Sequence, residues 1–564
     1  MRVDRLYLKA FNILREFDVD FHVTSQRQVV VGRNGVGKSN LLVALLWIFR
    51  DLDLEEDSRF AYEIEYHCNN EYVKIISTER ERKTKEEPVR FGRSYWIAHG
   101  EGQPTETQTG RDFKPLSQSE FYRRNRPVGG QPNPQRVLPH YVFGYYSGVS
   151  EGFSKVFSKH EQKYFREQVT GKEAPLRPLF LAMPHHSQFA LLSFFAAKEE
   201  NAKQFLKDEF HIEGLQSVLF ILREPYWKGK GPKRSSADPA QSVDDQRFWG
   251  AGGKVSVFLD ALYQHALAPM AGTEKRRISV GREKTFEERF CFIRNEATFQ
   301  QLAEGLEPKE FFARLESTIF SDLVDRDGKD VRVLLKLTGQ EEPITFDKLS
   351  EGEQQLLTII GLMRFTAQNE SLFLLDEPDT HLNPAWCLDY LDNLLKYGGN
   401  PTNSQIIMTT HSPLTFASLD ENEVVVLERD EAGTITSQHP LSPPKGMGFQ
   451  AILTSEFFGL RSGIDRETLA RIDRKRDLGL KESRTEAESA ELAQLDEELG
   501  RLDFSNAARD PLYLEFIRAM TSAQKANPEI ARAAPSAADW HLRQRIASDI
   551  AARLLHEEKK NEAR

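Results

Sequence analysis

Apolar and polar residues alternate through the opening of the chain, in Met1–Phe11 (MRVDRLYLKAF) and again in Arg15–Val23 (REFDVDFHV). Period-two alternation predicts strands with one buried face. The next run, Arg27–Gly32 (RQVVVG), is different: the consecutive Val29–Val31 predict a strand buried on both sides, as in a parallel sheet. It runs into a glycine-rich loop and then into Leu41–Phe49 (LLVALLWIF), which reads as an apolar helix. Downstream, an apolar run from Ser371 ends in the acidic pair Asp376-Glu377, and a second from Gln405 ends at His411. His140–Gly148 (HYVFGYYSG) reads as another sheet strand, and Gln216–Leu222 is strand-like. Helical spacing marks Phe194–Phe210 and Phe286–Leu306. Beyond residue 460 the chain becomes charged and helical: Arg466–Leu480, then Glu486–Leu502 with one stripe formed by Leu492, Leu495, Leu499 and Leu502. That stripe fits an intramolecular hairpin, a dimer seam or a dock for another protein. Pro528–Arg564 is Ala-rich and amphipathic, and its last residues (HEEKKNEAR) are expected to fray.

The loop after the valine strand carries the first chemistry. Gly32-Arg33-Asn34-Gly35-Val36-Gly37-Lys38-Ser39 matches GxxxxGK[ST] in full and is followed by Asn40. Its glycines let backbone N–H groups wrap a phosphate chain, and the following helix adds its positive end. Lys38 would reach the β- and γ-phosphates, and the Ser39 hydroxyl would ligate Mg²⁺. In the second half, Asp376 would orient water on the metal while Glu377 polarises the attacking water. Leu349-Ser350-Glu351-Gly352-Glu353-Gln354-Gln355 opens a helix whose N-terminus can face a phosphate, and His411 puts an imidazole at a strand end. Each piece alone is weak; their order is specific.

That order resembles the ATP-binding-cassette superfamily in its SMC and RecF-like branch, across residues 1–50 and 345–430. GRNGVGKS is similar to that branch's P-loop, LSEGEQQ to its signature, DEPDTHLNP to its Walker B and D-loop, and THS to its switch histidine. The resemblance implies an α/β fold: an ABC-type P-loop ATPase head with ATP and Mg²⁺ as ligands. It also implies head-to-tail pairing, in which Ser350 and Gly352, beside Glu353, complete the site around Lys38 of a second copy. A lone chain should therefore hydrolyse slowly. The family's Q-loop glutamine has no counterpart, because the matching strand ends in Tyr146 and Ser147. Tyr7 or Phe11 could stack on adenine, with core packing the alternative.

About 300 residues separate Lys38 from Leu349, so something is inserted. No sustained heptads occur there, and Pro, Gly and polar clusters recur at 100–136 and 228–254, which predicts a globular, mostly helical insertion. The expected organisation is an N-terminal ATPase lobe at 1–150, the insertion at 151–335, a C-terminal lobe at 336–460 and a helical docking region at 461–564. Arg123–Arg126 and Lys228–Arg234 are basic, loop-like segments able to meet DNA phosphates or simply to be solvated. His185-His186 lacks a further ligand at metal spacing and reads as a loop-edge pair.

Composition narrows the classes further. With 564 residues, one core is too few. A net charge of −10 argues against a uniformly basic nucleic-acid binder. Cys68, Cys291 and Cys387 are scattered, as reduced packing thiols would be. The Leu41–Phe49 run covers about half of the ~20 residues that span a bilayer, and no leader opens the chain, so no membrane partner and a cytoplasmic location are expected. After His411 there is no strand-Glu-Gly followed by a DxD strand and no His-Asn-His cluster, so any nucleic-acid cleavage would come from a partner. This combination resembles the ATPase subunits of Septu antiviral systems, which implies a homodimer or higher homo-oligomer and a partner HNH nuclease (PtuB-like). The alternative is a RecF-like repair ATPase that clamps DNA; a transporter ATPase is disfavoured by the large insertion and the LSEGE signature.

Overall fold

The structure, a computed structural model, describes residues 1–21, 25–81, 89–100, 111–129, 132–148, 151–169, 177–196, 200–227, 248–279, 282–366, 370–398, 403–430, 432–460, 463–481, 483–501, 516, 519–520, 522–524, 526–527 and 537–562. In chain order the first part contains β1 (Arg2–Phe11), β2 (Leu14–Asp20), β3 (Arg27–Gly32), α1 (Lys38–Asp53), β4 (Tyr62–Cys68), β5 (Glu71–Glu79), β6 (Phe91–His99), β7 (Lys114–Leu116), α2 (Gln118–Asn125) and β8 (Tyr141–Tyr146). The next part contains α3 (Glu151–Val169), β9 (Leu179–Leu181), α4 (His185–Ala196), α5 (Glu200–Phe210), β10 (Ile212–Arg223), α6 (Gly253–His265), β11 (Met270–Ser279), β12 (Arg282–Ile293), α7 (Glu296–Leu302), α8 (Pro308–Phe320), β13 (Val331–Leu337) and β14 (Ile344–Thr345). Then follow α9 (Glu351–Thr366), β15 (Ser371–Asp376), α10 (Pro384–Tyr397), β16 (Gln405–Thr409), β17 (Val424–Arg429), β18 (Ile435–Gln438), α11 (Phe449–Thr454), α12 (Arg466–Gly479), α13 (Glu486–Arg501) and α14 (Ala537–Glu562).

Hydropathy period decides which sheet each strand joins. β4 buries every second residue, Tyr62, Ile64, Tyr66 and Cys68, and belongs to an antiparallel sheet ordered β2-β1-β4-β5-β6-β7. β15 and β16 are buried at every position and lie inside a second sheet, β18-β17-β3-β16-β15-β8-β9. There all neighbours are parallel except the edge pair β17–β18. Strands covered on both faces can afford no polar row, which is why they read as unbroken apolar runs. One apolar core joins α1 to both sheets, with Leu41, Leu45, Ile48 and Phe49 between Leu6, Phe17 and Ile64 on one side and Leu372, Leu374 and Ile407 on the other.

The inserted stretch contributes a third sheet, β11-β12-β10-β13-β14, wholly antiparallel, together with α3–α8. Two sequence expectations change here. Phe286–Leu306 is β12 followed by the short α7, not one helix. Phe286, Arg289, Phe290 and Ile293 happen to fit helical spacing, but pairing with β11 along its length and with β10 at Glu288–Ile293 recruits them to the sheet. Phe194–Phe210 belongs to two helices, α4 and α5, and α4 begins nine residues earlier than Phe194, at His185. Helix α4 is apolar all round because α5, α7, α8 and α9 surround it.

The chain divides into two compact units, 1–416 with 422–439, and 417–421 with 440–564. In the second, α12 and α13 form an antiparallel hairpin, the first of the three alternatives for the leucine stripe. Leu478, Leu495 and Leu499 are buried, and Arg474–Glu491 (2.7 Å) and Lys475–Asp496 (2.6 Å) bridge the rims. Leu502 lies outside the described residues, while α14 continues as helix through Glu562. Among the described residues no helix is long and apolar enough to cross a membrane.

Candidate functional site

Three neighbouring parallel strands, β3, β16 and β15, end on the same edge of their sheet, and each delivers one motif there. β3 opens into the P-loop. Gly32 has φ +145°, and a Cβ on it would sit 2.4 Å from the Leu427 carbonyl oxygen; Gly37 has φ +90°, with Leu14 Cδ2 2.7 Å from the same position. Backbone sign therefore requires both glycines, and at Gly32 the backbone carbonyl requires it by space as well. Val36 is buried and packs toward Gly32, whereas Arg33, Asn34 and Gly35 are exposed at the crest. Arg429 donates to the Gly35 carbonyl (2.7 Å), and Asn12 to the Asn40 side chain (3.0 Å). Helix α1 starts at Lys38 with no side-chain cap. Its first amides are thus available to an anion.

The P-loop lysine turns back under the loop. Lys38 Nζ donates to the carbonyls of Gly32 (2.8 Å) and Arg33 (3.3 Å) and lies 3.4 Å from His411 Nδ1. Since an ammonium can only donate, Nδ1 accepts, and the proton of a neutral imidazole resides on Nε2. Nε2 faces Glu377 Oε1 at 2.8 Å. Lys38 at the start of α1, His411 just beyond β16 and Glu377 just beyond β15 thus form one contact chain. Burial lowers the Lys38 pKa to about 8, against the pull of Glu377 and Asp376. Burial and the Lys38 charge also lower His411, which keeps the ring neutral near pH 7.

Asp376 ends β15 fully buried, with Thr409 donating to Oδ1 and Oδ2 without a hydrogen-bond partner. Burial pushes its pKa up, while the Thr409 hydrogen bond and the nearby Ser39 hydroxyl pull it down. An orphaned buried carboxylate oxygen beside the exposed Ser39 hydroxyl fits a hard cation such as Mg²⁺. Glu377 follows at φ +50°, a left-handed conformation rare for this residue type. Its N–H reaches the Thr409 carbonyl at 3.1 Å.

The signature residues are organised locally. Ser350 and Glu353 form a reciprocal cap at the start of α9: Ser350 N donates to Glu353 Oε2 (2.6 Å) and Glu353 N to Ser350 Oγ (3.3 Å). Gly352 presses on the loop after Glu377, where a Cβ would meet the His381 carbonyl at 2.6 Å. Gln355 donates to the Pro378 carbonyl. The hydrogen bonds of Ser350 and Glu353 run to each other, so the structure groups Lys38, Ser39, Asp376, Glu377 and His411 but leaves the signature outside that contact chain.

Sequence reasoning missed several residues. Asp379, Thr410 and Thr415 tie the loop after β15 to the loop after β16, and the repeated threonine before His411 was the available signal. At the vacant Q-loop position, Ser147 N donates to the Asp376 carbonyl (3.3 Å) and Thr380 Oγ1 approaches Ser147 Oγ (3.4 Å). A cavity of about 390 Å³ opens beside the pair, lined by Glu377, Asp379, Thr380, Leu382, Cys387, His411 and Leu414 among others.

Other expectations resolve as follows. Arg123–Arg126 is not a loop: Arg123 and Arg124 lie on α2 and pair with Glu120, and Arg126 pairs with Glu55. Lys228–Arg234 lies outside the described residues. His185 and His186 are not at a loop edge but are buried at the start of α4, held by the Arg326 carbonyl and the Met183 N–H. Among the described residues no cluster of His, Cys, Asp and Glu could hold a metal by itself. Phe11 packs on Phe60 (4.7 Å), and the Tyr7 hydroxyl bonds Glu16. All three cysteines are buried and unpaired.

Residues 257–417 match the model of the family described as "AAA domain, putative AbiEii toxin, Type IV TA system". Two curated relatives are Septu protein PtuA of Bacillus mycoides (strain KBAB4), 31% identical over 121 residues, and Septu protein PtuA of Bacillus thuringiensis, 29% identical over 189 residues. These matches cover 20% and 31% of this chain, and the chain spans 17% and 46% of the relatives' lengths. A solved SMC head domain from Thermotoga maritima overlaps 78% of this chain and 99% of its own at 14% identity, with a TM-score of 0.30. The parallel sheet, the P-loop at its edge and the motifs on β15 and β16 make the fold that of an ABC-type P-loop ATPase head, and stretches of the chain are similar to the two Septu PtuA proteins.

Proposed function

We propose that this chain binds and hydrolyses MgATP as the ATPase subunit of an anti-phage defence system of the Septu kind. The observation that carries the ATPase reading is the Lys38–His411–Glu377 contact chain, assembled from positions far apart in sequence at one sheet edge. In this reading the P-loop amides and Lys38 hold the β- and γ-phosphates. Ser39 and Asp376 hold Mg²⁺, which when bound neutralises phosphate charge. Glu377 takes a proton from the attacking water, and His411 Nε2, released from Glu377, donates toward the γ-phosphate. Ser350 and Gly352 of a second copy close the site, which explains why their own hydrogen bonds leave the P-loop uncovered.

Glu377→Gln tests this. The variant should bind ATP, lose turnover by about 10²-fold or more and accumulate as an ATP-loaded dimer in light scattering. Parental turnover with a monomeric mass would sink the reading.

The defence role rests on the similarity to the two PtuA proteins, with nucleotide occupancy controlling a partner HNH nuclease in a homo-oligomeric assembly that senses nucleotide or phage DNA. A repair clamp needs a free basic face, and Arg123, Arg124 and Arg126 are committed to Glu120 and Glu55.

A further inference from the structure

Resting on the ATPase reading above, we propose that Asp379 is a positioning residue that fixes His411 opposite Glu377. Asp379 lies two residues beyond the left-handed Glu377 and is 5% exposed. One carboxylate oxygen, Oδ2, accepts hydrogen bonds from two hydroxyls, Thr410 Oγ1 at 2.5 Å and Thr415 Oγ1. Both threonines are fully buried, and they bracket His411 in sequence. The Thr410 hydroxyl also accepts from Ser412 N (2.9 Å), and Thr415 N donates to the Ser412 carbonyl (3.3 Å). A single oxygen therefore ties both ends of the 410–415 loop to the turn that carries Glu377.

Two other links join the same segments, Asp376 with Thr409 and Glu377 N with the Thr409 carbonyl. Both belong to the end of the β15–β16 pair, before His411. The Asp379 link alone of these three holds the chain on the far side of the imidazole. Packing around the imidazole itself is open, because the cavity is lined by Asp379, Thr380, His411 and Ser412. A buried carboxylate is costly to desolvate, and an apolar side chain would fill its place without that cost. The carboxylate is accounted for if its two hydrogen bonds keep the His411–Glu377 distance at 2.8 Å. Asp379 acts through Thr410 and Thr415 and is not assigned any contact with nucleotide.

The test uses the full chain, with MgATP turnover measured at saturation and the affinity for a fluorescent ATP analogue measured separately. Asp379→Ala and the near-isosteric Thr415→Val should each reduce turnover, the former by about tenfold or more, with affinity changed less than about twofold, as misplacement of a catalytic group predicts. Asp379→Asn, whose amide oxygen can still accept both hydroxyls, should recover most of the turnover lost in the alanine variant. Parental turnover in folded Asp379→Ala and Thr415→Val overturns the proposal. So does a parallel loss of affinity and turnover, or an asparagine variant no better than alanine. If Asp379→Ala does not fold, Thr415→Val decides. Parental turnover in Glu377→Gln would instead remove the ATPase assignment beneath, whatever Asp379 does.

Discussion

Lys38 gives up most of its hydration to lie beneath the P-loop, and two carbonyls and an imidazole nitrogen replace the lost water. Burial takes its pKa from 10.5 to about 8. Between those values the unfolded chain binds more protons than the nucleotide-free folded chain, so this group's contribution to stability increases as pH rises through that window. A bound triphosphate reverses the balance by favouring the ammonium. Near pH 8, MgATP binding should therefore take up about half a proton, measured as the slope of calorimetric enthalpy against buffer ionisation enthalpy. The uptake should vanish in Lys38→Met, and a flat slope in the parental chain would contradict the assigned environment. The grouping of Lys38, Ser39, Asp376, Glu377 and His411 was legible in the sequence because a GxxxxGK[ST] loop leading into a helix, and a carboxylate pair and an imidazole at strand ends, mark those positions. Asp379, Thr410 and Thr415 were not. Their partnership depends on a left-handed backbone at Glu377, which residue spacing does not encode.

Among elements, α4 and α9 approach closely where Gly361 faces Ala190: a Cβ on the glycine would sit 2.4 Å from the alanine Cβ. Such a crossing leaves no room for either helix to yield without disturbing the layer behind it. Gly361→Leu should destabilise by about 1–3 kcal/mol through overpacking, net of the better helix propensity of leucine, seen as a lower urea midpoint at unchanged slope. Adding Ala190→Gly should restore part of the loss. The strands and helices around the P-loop were readable because burial on one face or two leaves different periods in the sequence. β12 was not, because its aromatic residues satisfy the helical template as well as the strand one, and the partner that settles the matter, β11, makes contact through register rather than local pattern. The α12–α13 stripe was visible as a stripe; which surface it would cover was not, since an amphipathic helix shows its apolar face without naming the partner.

At the scale of the molecule, the insertion is continuous with the fold it interrupts: β9 joins the edge of the parallel sheet beside β8, and α4 and α8 pack on α9. The helix that begins at the signature, α9, is thus packed against inserted helices along its flank. The proposed nuclease partner should therefore respond to nucleotide. Co-expression with an HNH protein encoded beside this gene should yield a complex whose recovery differs between ATP-loaded Glu377→Gln and Lys38→Met, and its absence in both states would remove the nuclease from the proposal. The order of strands has a consequence for synthesis as well. β3 is flanked by β16 and β17, so both neighbours of the strand that launches the P-loop are made almost 400 residues after it. A ribosome-bound chain carries its phosphate loop from the start, yet cannot close it around a ligand until translation has passed β17. On the proposed ATPase reading, nucleotide competence arrives only after both flanking strands have been made.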